Sequence, residues 1–170
     1  MNLFDEINDV IKKLLCGVMQ QLTITDEDAF LNDNVSKVVR TRVTAELCST
    51  LVKLHNLKIS DHQSMIKKLT KWLIDNQNAD GSWNEKHIKY DKPSTVFTSV
   101  CALSLLETSE SFPDLNIDEE IFDRAAKFIL KQEIYYGEYK KSELVHADIL
   151  NVDAMAAAFL LKFGSRSSNE

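Results

Sequence analysis

Hydrophobic residues recur at intervals of three and four along most of the chain, with polar and charged residues between them. This spacing places the apolar side chains on one face of an α-helix. Six segments show it, at about residues 1–20, 36–55, 60–77, 93–106, 118–132 and 149–163. The pattern therefore predicts an all-α chain with six main helices.

The second, fourth and sixth predicted helices are more hydrophobic than the other three. The sixth contains an apolar run from Ala154 to Leu161 that leaves no polar face, which is typical of a helix buried on several sides. The first, third and fifth helices carry more Lys, Asp and Glu. We therefore expect the second, fourth and sixth helices to form an inner layer and the others an outer layer.

Two stretches of the sequence repeat each other at an offset of about 55 residues. Each follows an outer helix and contains a glutamine, a glycine turn and an aromatic residue, namely Gln77, Asp80, Gly81 and Trp83 in one and Gln132, Gly137 and Tyr139 in the other. A weaker third copy begins at Gln21. The period predicts three helical hairpins, at about 1–55, 56–109 and 110–164, in one domain of residues 1–164 with a flexible tail at 165–170.

Composition favours a helical globule and argues against nucleic acid as a partner. The 170 residues include only four Gly and two Pro, with 44% hydrophobic and 27% charged residues, which disfavours disorder and turn-rich β-sandwiches. The formal net charge is −6, and Lys and Arg cluster no further than adjacent pairs. Non-specific attraction to phosphate backbones is therefore not expected.

Cysteine usage and the first residues indicate the compartment. Cys16, Cys48 and Cys101 are odd in number and lack paired spacing, so a disulfide framework is not expected. Asp5 and Glu6 stand where a signal peptide would carry positive charge. No apolar run approaches the ~18 residues of a membrane span. The sequence predicts a reduced, cytoplasmic protein without a transmembrane segment.

The stretch from Lys68 to Trp83 reads Lys-x-x-Lys-Trp-Leu-x-x-x-Gln-x-x-Asp-Gly-Ser-Trp and resembles the QW motif of terpenoid cyclases of the squalene-hopene cyclase kind. Similar glutamine and Asp-Gly turns occur in protein prenyltransferase β subunits and in complement-type thioester domains. All of these are α/α toroids. The resemblance covers about residues 62–163 and implies a partial α/α toroid of about three helical hairpins.

The motif has a structural rationale. The Gln77 amide can pack on the Trp83 indole and bond to the backbone at the turn. Gly81 can adopt a positive φ, and Asp80 can accept bonds from exposed amides. These residues therefore indicate the fold and carry little information about which reaction, if any, the protein catalyses.

The resemblance implies catalytic residues that this sequence keeps only in part. Class II cyclases protonate substrate with an Asp-x-Asp-Asp element at the start of an inner helix, and Asp153 is the one acid of that element present here. Prenyltransferases bind zinc through Asp, Cys and His, and Thr98 stands at the position aligned with the histidine. Thioester chemistry needs the sequence Cys-Gly-Glu-Gln. The chain has Cys16 and Gly17, but the next two residues are Val18 and Met19. We expect no metal and no cofactor.

Candidate ligand-binding residues collect at the start of the inner helices. If these helices run parallel, Arg40, Arg42 and Thr98 lie around one mouth with Asp153, where helix dipoles favour an anion such as a diphosphate. The alternative is that they are solvated caps. Glu46 either pairs with Arg42 or lines a central cavity, and His146 either faces the mouth or lies at the surface.

Three helical hairpins are fewer than a complete toroid of this superfamily uses. The inner wall would then be apolar and exposed, which predicts a homodimer or a heteromer through the inner helices. Two functions remain open at this point. The first is an isoprenoid-type enzyme, or a protein that binds a hydrophobic, isoprenoid-like molecule, in isoprenoid or natural-product metabolism. The second is a non-catalytic scaffold for protein–protein interaction that completes a toroid with itself or another chain.

Overall fold

Six helices account for most of the part of the chain that the structure describes, as the periodicity predicts. The structure is a computed structural model, and it describes residues 3–33, 35–86, 91–135, 138–139 and 150–167. The helices are α1 (Leu3–Met19), α2 (Thr41–Asn56), α3 (Gln63–Asp75), α4 (Thr95–Ser111), α5 (Glu119–Leu130) and α6 (Leu150–Ser167). The all-α class is confirmed. Because α6 continues to Ser167, the first three residues of the predicted tail are helical.

α2, α4 and α6 form the inner row, with α4 between the other two. α3 packs against α2 and α4, and α5 packs against α4 and α6, so both lie in a second layer. Small polar groups hold the inner row together, since the Ser104 hydroxyl donates to the Ala45 carbonyl at 2.9 Å. The core between the layers contains fully buried side chains such as Leu51, Leu105 and Phe122, and burying each stabilises the fold by about 1.5–3 kcal/mol.

Two short antiparallel hairpins, which the periodicity does not predict, follow α1 and α5. β1 (Leu22–Ile24) pairs with β2 (Ala29–Leu31), and β3 (Glu133–Tyr135) pairs with β4 (Glu138–Tyr139). Both lie where the sequence repeat places the turn between an outer and an inner helix. The repeat unit is therefore helix, turn or hairpin, then helix.

α2 begins at Thr41, about five residues later than the sequence predicts. The residues before it form a turn around Asp33, whose Oδ1 accepts from Ser36 N at 2.7 Å and Val35 N at 2.9 Å. These bonds, above all the one from the Ser36 amide, lower the pKa of Asp33. Asp33 thus competes with helix formation in the way that aspartate commonly does.

α1 lies against the side of α2 that faces away from α4. Its Leu15 and Val18 border a groove with Leu47 of α2, whereas Ala45 of α2 meets α4. On a helix these two positions of α2 point in nearly opposite directions. The expected outer position beside α2 and α3 is taken by the β1–β2 hairpin, where the Phe30 ring packs 5.6 Å from Trp72.

The length and hydropathy needed to traverse a lipid bilayer are not found together in any helix of the described ranges.

Candidate functional site

The turn after α3 connects three elements through the motif residues. Gln77 Nε2 donates to the Gly81 carbonyl at 3.0 Å and to the Ile121 carbonyl of α5 at 2.9 Å. Gly81 has a φ of 89°. Asp80 Oδ1 accepts from the Ser82 amide at 3.0 Å. The turn therefore ties α3 to the next outer helix.

Trp83 anchors this turn in the core. Its side chain is fully buried, and its Nε1 donates to the Leu73 carbonyl at 2.8 Å. The Trp83 amide donates to Thr98 Oγ1 at 3.0 Å. Thr98, a predicted mouth residue, is thus buried and engaged in holding the turn against the first turn of α4.

The corresponding residues of the last repeat are arranged differently where they are described. Gln132 is buried and its Nε2 donates back to the Phe128 carbonyl of its own helix at 3.3 Å. Its Oε1 is buried without a hydrogen bond in the described part of the chain. Tyr139 lies in β4, paired with Glu133. Gly137 lies outside the described residues.

A buried carboxylate, which no pattern in the sequence singles out, accepts a hydrogen bond at the start of α2. Glu85 is 2% exposed, and its Oε2 accepts from the Thr41 amide at 2.7 Å. The Arg40 guanidinium lies 3.7 Å from Glu85 and 3.7 Å from Asp33. The positive end of α2 and the predicted anion ligand Arg40 therefore already face protein carboxylates.

Replacing Glu85 by Ala is expected to lower the free energy of unfolding by about 2 kcal/mol, because the Thr41 amide and Arg40 would lose a buried acceptor. Urea unfolding followed by circular dichroism measures this. The control is Glu27→Ala, which removes an exposed carboxylate 3.6 Å from Lys71 and should change stability by less than about 0.5 kcal/mol. Equal losses for the two variants would contradict the role given to Glu85.

Arg42 and Glu46 pair with each other along α2. The distance between Arg42 Nε and Glu46 Oε1 is 2.7 Å, and both side chains are partly exposed. Glu46 also borders a groove beside α1. The structure therefore shows the ion pair between Glu46 and Arg42, whereas the groove that Glu46 borders lies beside α1 and is not the central cavity of the second alternative.

Asp153 is half-buried in the first turn of α6, with Asn151 exposed and Val152 buried beside it. His146 lies outside the described residues. The described side-chain contacts of Arg40 go to Asp33 and Glu85, that of Arg42 goes to Glu46, and that of Thr98 goes to the Trp83 amide. Asp153, Arg40, Arg42, Thr98 and His146 stay predictions as a ligand site.

Side chains typical of metal or thiol chemistry do not converge in the described ranges. No group of three or more His, Cys, Asp or Glu residues there is placed to hold a metal ion. Burial raises the pKa of the Cys48 thiol, and burial with nearby Glu85 raises that of Cys101. Both thiols are therefore poor nucleophiles.

A concave surface lies between α1 and α2 in the described part of the chain, and we call it the α1 groove. Its volume is about 320 Å³, and its lining is aliphatic except for Glu46 and Thr50, with Ile11, Leu14, Leu15, Val18, Val43, Leu47 and Leu54 as the apolar members. A neighbouring groove of about 340 Å³ shares Ile11, Leu15 and Leu54 with it. A smaller cleft of about 220 Å³ lies between α4 and α6 and is lined by Val100, Leu103 and Met155, among others.

Comparison of the sequence with models of known protein families and with curated proteins gives no match.

Proposed function

We propose that the chain is a helical-repeat module that binds a hydrophobic, isoprenoid-like molecule in the α1 groove. The observation that carries this proposal is the aliphatic lining of the groove on both α1 and α2. A volume of about 320 Å³ is at the lower end of the range for small-molecule sites, which are mostly apolar with few polar groups. A hydrophobic molecule would gain free energy by leaving water for this surface.

The polar groups of the α1 groove suggest what kind of end group the molecule carries. Glu46 holds Arg42 in an ion pair, and the Thr50 hydroxyl donates to the Glu46 carbonyl at 2.8 Å. A diphosphate would be repelled by the Glu46 carboxylate, and Arg42 could not offset this repulsion because it is already paired with Glu46. A neutral isoprenoid alcohol suits the groove better, because a hydroxyl can accept from Arg42 or donate to Glu46.

We also propose that the module belongs with the α/α toroids of the terpenoid cyclase and prenyltransferase kind. Support comes from the alternation of inner and outer helices and from Gln77, which joins its own turn to the next outer helix. The chain acts as a binding module in isoprenoid or natural-product metabolism in the cytoplasm. Asp153 stays the candidate acid if the module is catalytic, although the two residues before it, Asn151 and Val152, are not acids.

Farnesol is expected to raise the melting temperature by about 4 °C at ten times its dissociation constant, because binding to the folded chain alone stabilises it by about 1.4 kcal/mol. Differential scanning fluorimetry measures this. Thr50→Trp fills the α1 groove from its exposed side and should remove the rise.

The matched control is Leu103→Trp, which places the same indole in the cleft between α4 and α6 and should keep the rise. Farnesyl diphosphate at the same concentrations should give a smaller rise than farnesol. The proposal fails if farnesol has no effect on the unmodified chain, or if Thr50→Trp and Leu103→Trp respond alike.

A second candidate is a non-catalytic scaffold that joins a partner subunit or a second copy through the inner helices. Leu161, on the last helix of the inner row, is 74% exposed, and the cleft between α4 and α6 is lined mostly by apolar side chains. A partner that covered these surfaces would bury apolar area. The farnesol titration discriminates the two candidates, since the scaffold alone predicts no rise in melting temperature.

A further inference from the structure

α1 carries a second apolar face that is largely exposed. Its body-facing residues Ile11, Leu15 and Val18 are partly buried against the core. A separate line of large aliphatic side chains is exposed, with Leu3 at 72%, Ile7 at 48%, Val10 at 54% and Leu14 at 66%. We call these four residues the α1 stripe.

The residues of the α1 stripe are spaced by four, three and four positions. This is the alternation of the a and d positions of a heptad, at which two helices pack in a coiled coil. On α1 it places all four side chains along one line, about a quarter turn away from Ile11, Leu15 and Val18. A second helix can therefore lie along the stripe without displacing α1 from α2.

Two opposite charges lie on the same side of the α1 stripe. Glu6 and Lys13 are both exposed and are seven residues apart, so they occupy equivalent heptad positions. Lys13 reaches Asp9 on its own helix at 2.6 Å, with both side chains largely exposed. An exposed pair of this kind contributes little and can rearrange.

These charges select one geometry for a second copy. In an antiparallel pair of α1 helices, Leu3 packs opposite Leu14 and Ile7 opposite Val10 of the other copy. The same register sets Glu6 of each copy beside Lys13 of the other, which gives two complementary contacts related by a two-fold axis. A parallel pair would not bring these two charges together.

We propose that α1 binds α1 of a second copy of this chain in this antiparallel register. The contact is isologous, because each copy contributes the same surface. The proposal goes beyond ligand binding in the α1 groove and does not depend on it. The two surfaces share Leu14, which lies at the edge of the groove and in the α1 stripe. Since the stripe spans only two heptads, we expect a dissociation constant in the region of ~10 μM rather than a permanent dimer.

A charge-reversal experiment tests the register with folded variants, since both positions are exposed. Glu6→Lys alone and Lys13→Glu alone place like charges together and should each weaken dimerisation about tenfold in sedimentation equilibrium. An equimolar mixture of the two variants should recover the affinity as a heterodimer, because each Lys then meets a Glu. Val10→Asp should abolish dimerisation.

The matched control is Lys12→Glu, which makes the same charge change on an exposed position away from the α1 stripe and should leave the dissociation constant within about twofold. Far-ultraviolet circular dichroism checks that each variant keeps its helices. The proposal is overturned if the unmodified chain stays monomeric up to ~200 μM, well above the expected constant. It is also overturned if the mixture does not recover binding, or if a dimer forms that neither charge reversal weakens.

Discussion

Replacing Gly81 by Ala is expected to lower the free energy of unfolding by about 3 kcal/mol. Gly81 has a φ of 89°, in a region that costs a residue with a side chain about 1–2 kcal/mol. An added Cβ would also lie 2.3 Å from the carbonyl oxygen of Arg124 in α5, and a clash with backbone costs a further 1–3 kcal/mol or so. Urea unfolding monitored by circular dichroism measures the loss.

Gly164→Ala is the matched control for this prediction. Gly164 lies within α6, and nothing stands within 4 Å of the Cβ that the substitution would add. Alanine should stabilise a helical position of this kind by about 0.5–1 kcal/mol. Equal stability of the two alanine variants would contradict the close approach of the Gly81 turn to α5.

Trp83→Ala is expected to be the most destabilising single change, at about 3–5 kcal/mol. The side chain is fully buried, and truncation leaves a cavity and an unpaired Leu73 carbonyl that now accepts from Nε1 at 2.8 Å. The position also organises the start of α4, since its amide donates to Thr98. Chemical unfolding at several temperatures measures the loss without relying on tryptophan fluorescence.

Trp83→Phe separates the two contributions to this loss. Phenylalanine keeps most of the buried ring but removes the bond from Nε1 to Leu73, so the loss should be smaller, about 1–3 kcal/mol. A phenylalanine variant as unstable as the alanine variant would place the main contribution in the hydrogen bond. A negligible effect of both would contradict burial of Trp83 between the two layers.

The sequence predicts the helices well because helical periodicity is a local signal. The spacing of apolar residues in α3 and α5 needs no knowledge of the rest of the chain. The β1–β2 hairpin is missed because strands of three residues are too short to show alternation. The late start of α2 is missed because Asp33 forms a turn with the following amides.

The candidate site is harder to predict because its contacts are long-range. Glu85 accepts from Thr41, 44 residues earlier in the chain, and only the packed fold shows that its carboxylate is buried. Arg40 and Thr98 carry the residue types of an anion site, but Arg40 faces Glu85 and Thr98 holds Trp83. Residue type fixes what a side chain can do, whereas packing decides which partner it has.

The position of α1 also depends on packing. Its amphipathic pattern predicts a helix with one buried face, but two apolar lines run along it, one on α2 and one exposed. Sequence periodicity merges them into a single face, because they lie about a quarter turn apart. Both the α1 groove and the proposed contact between copies follow from this separation.

Methyl NMR during a farnesol titration tests the central claim, that the α1 groove is the ligand site, most directly. Assigned methyl groups of Leu15, Val43 and Leu47 should shift together and saturate with one dissociation constant. Val100 and Leu103, in the cleft between α4 and α6, should shift little. Shifts centred on the cleft residues, or none at all up to the solubility limit of farnesol, would contradict the account.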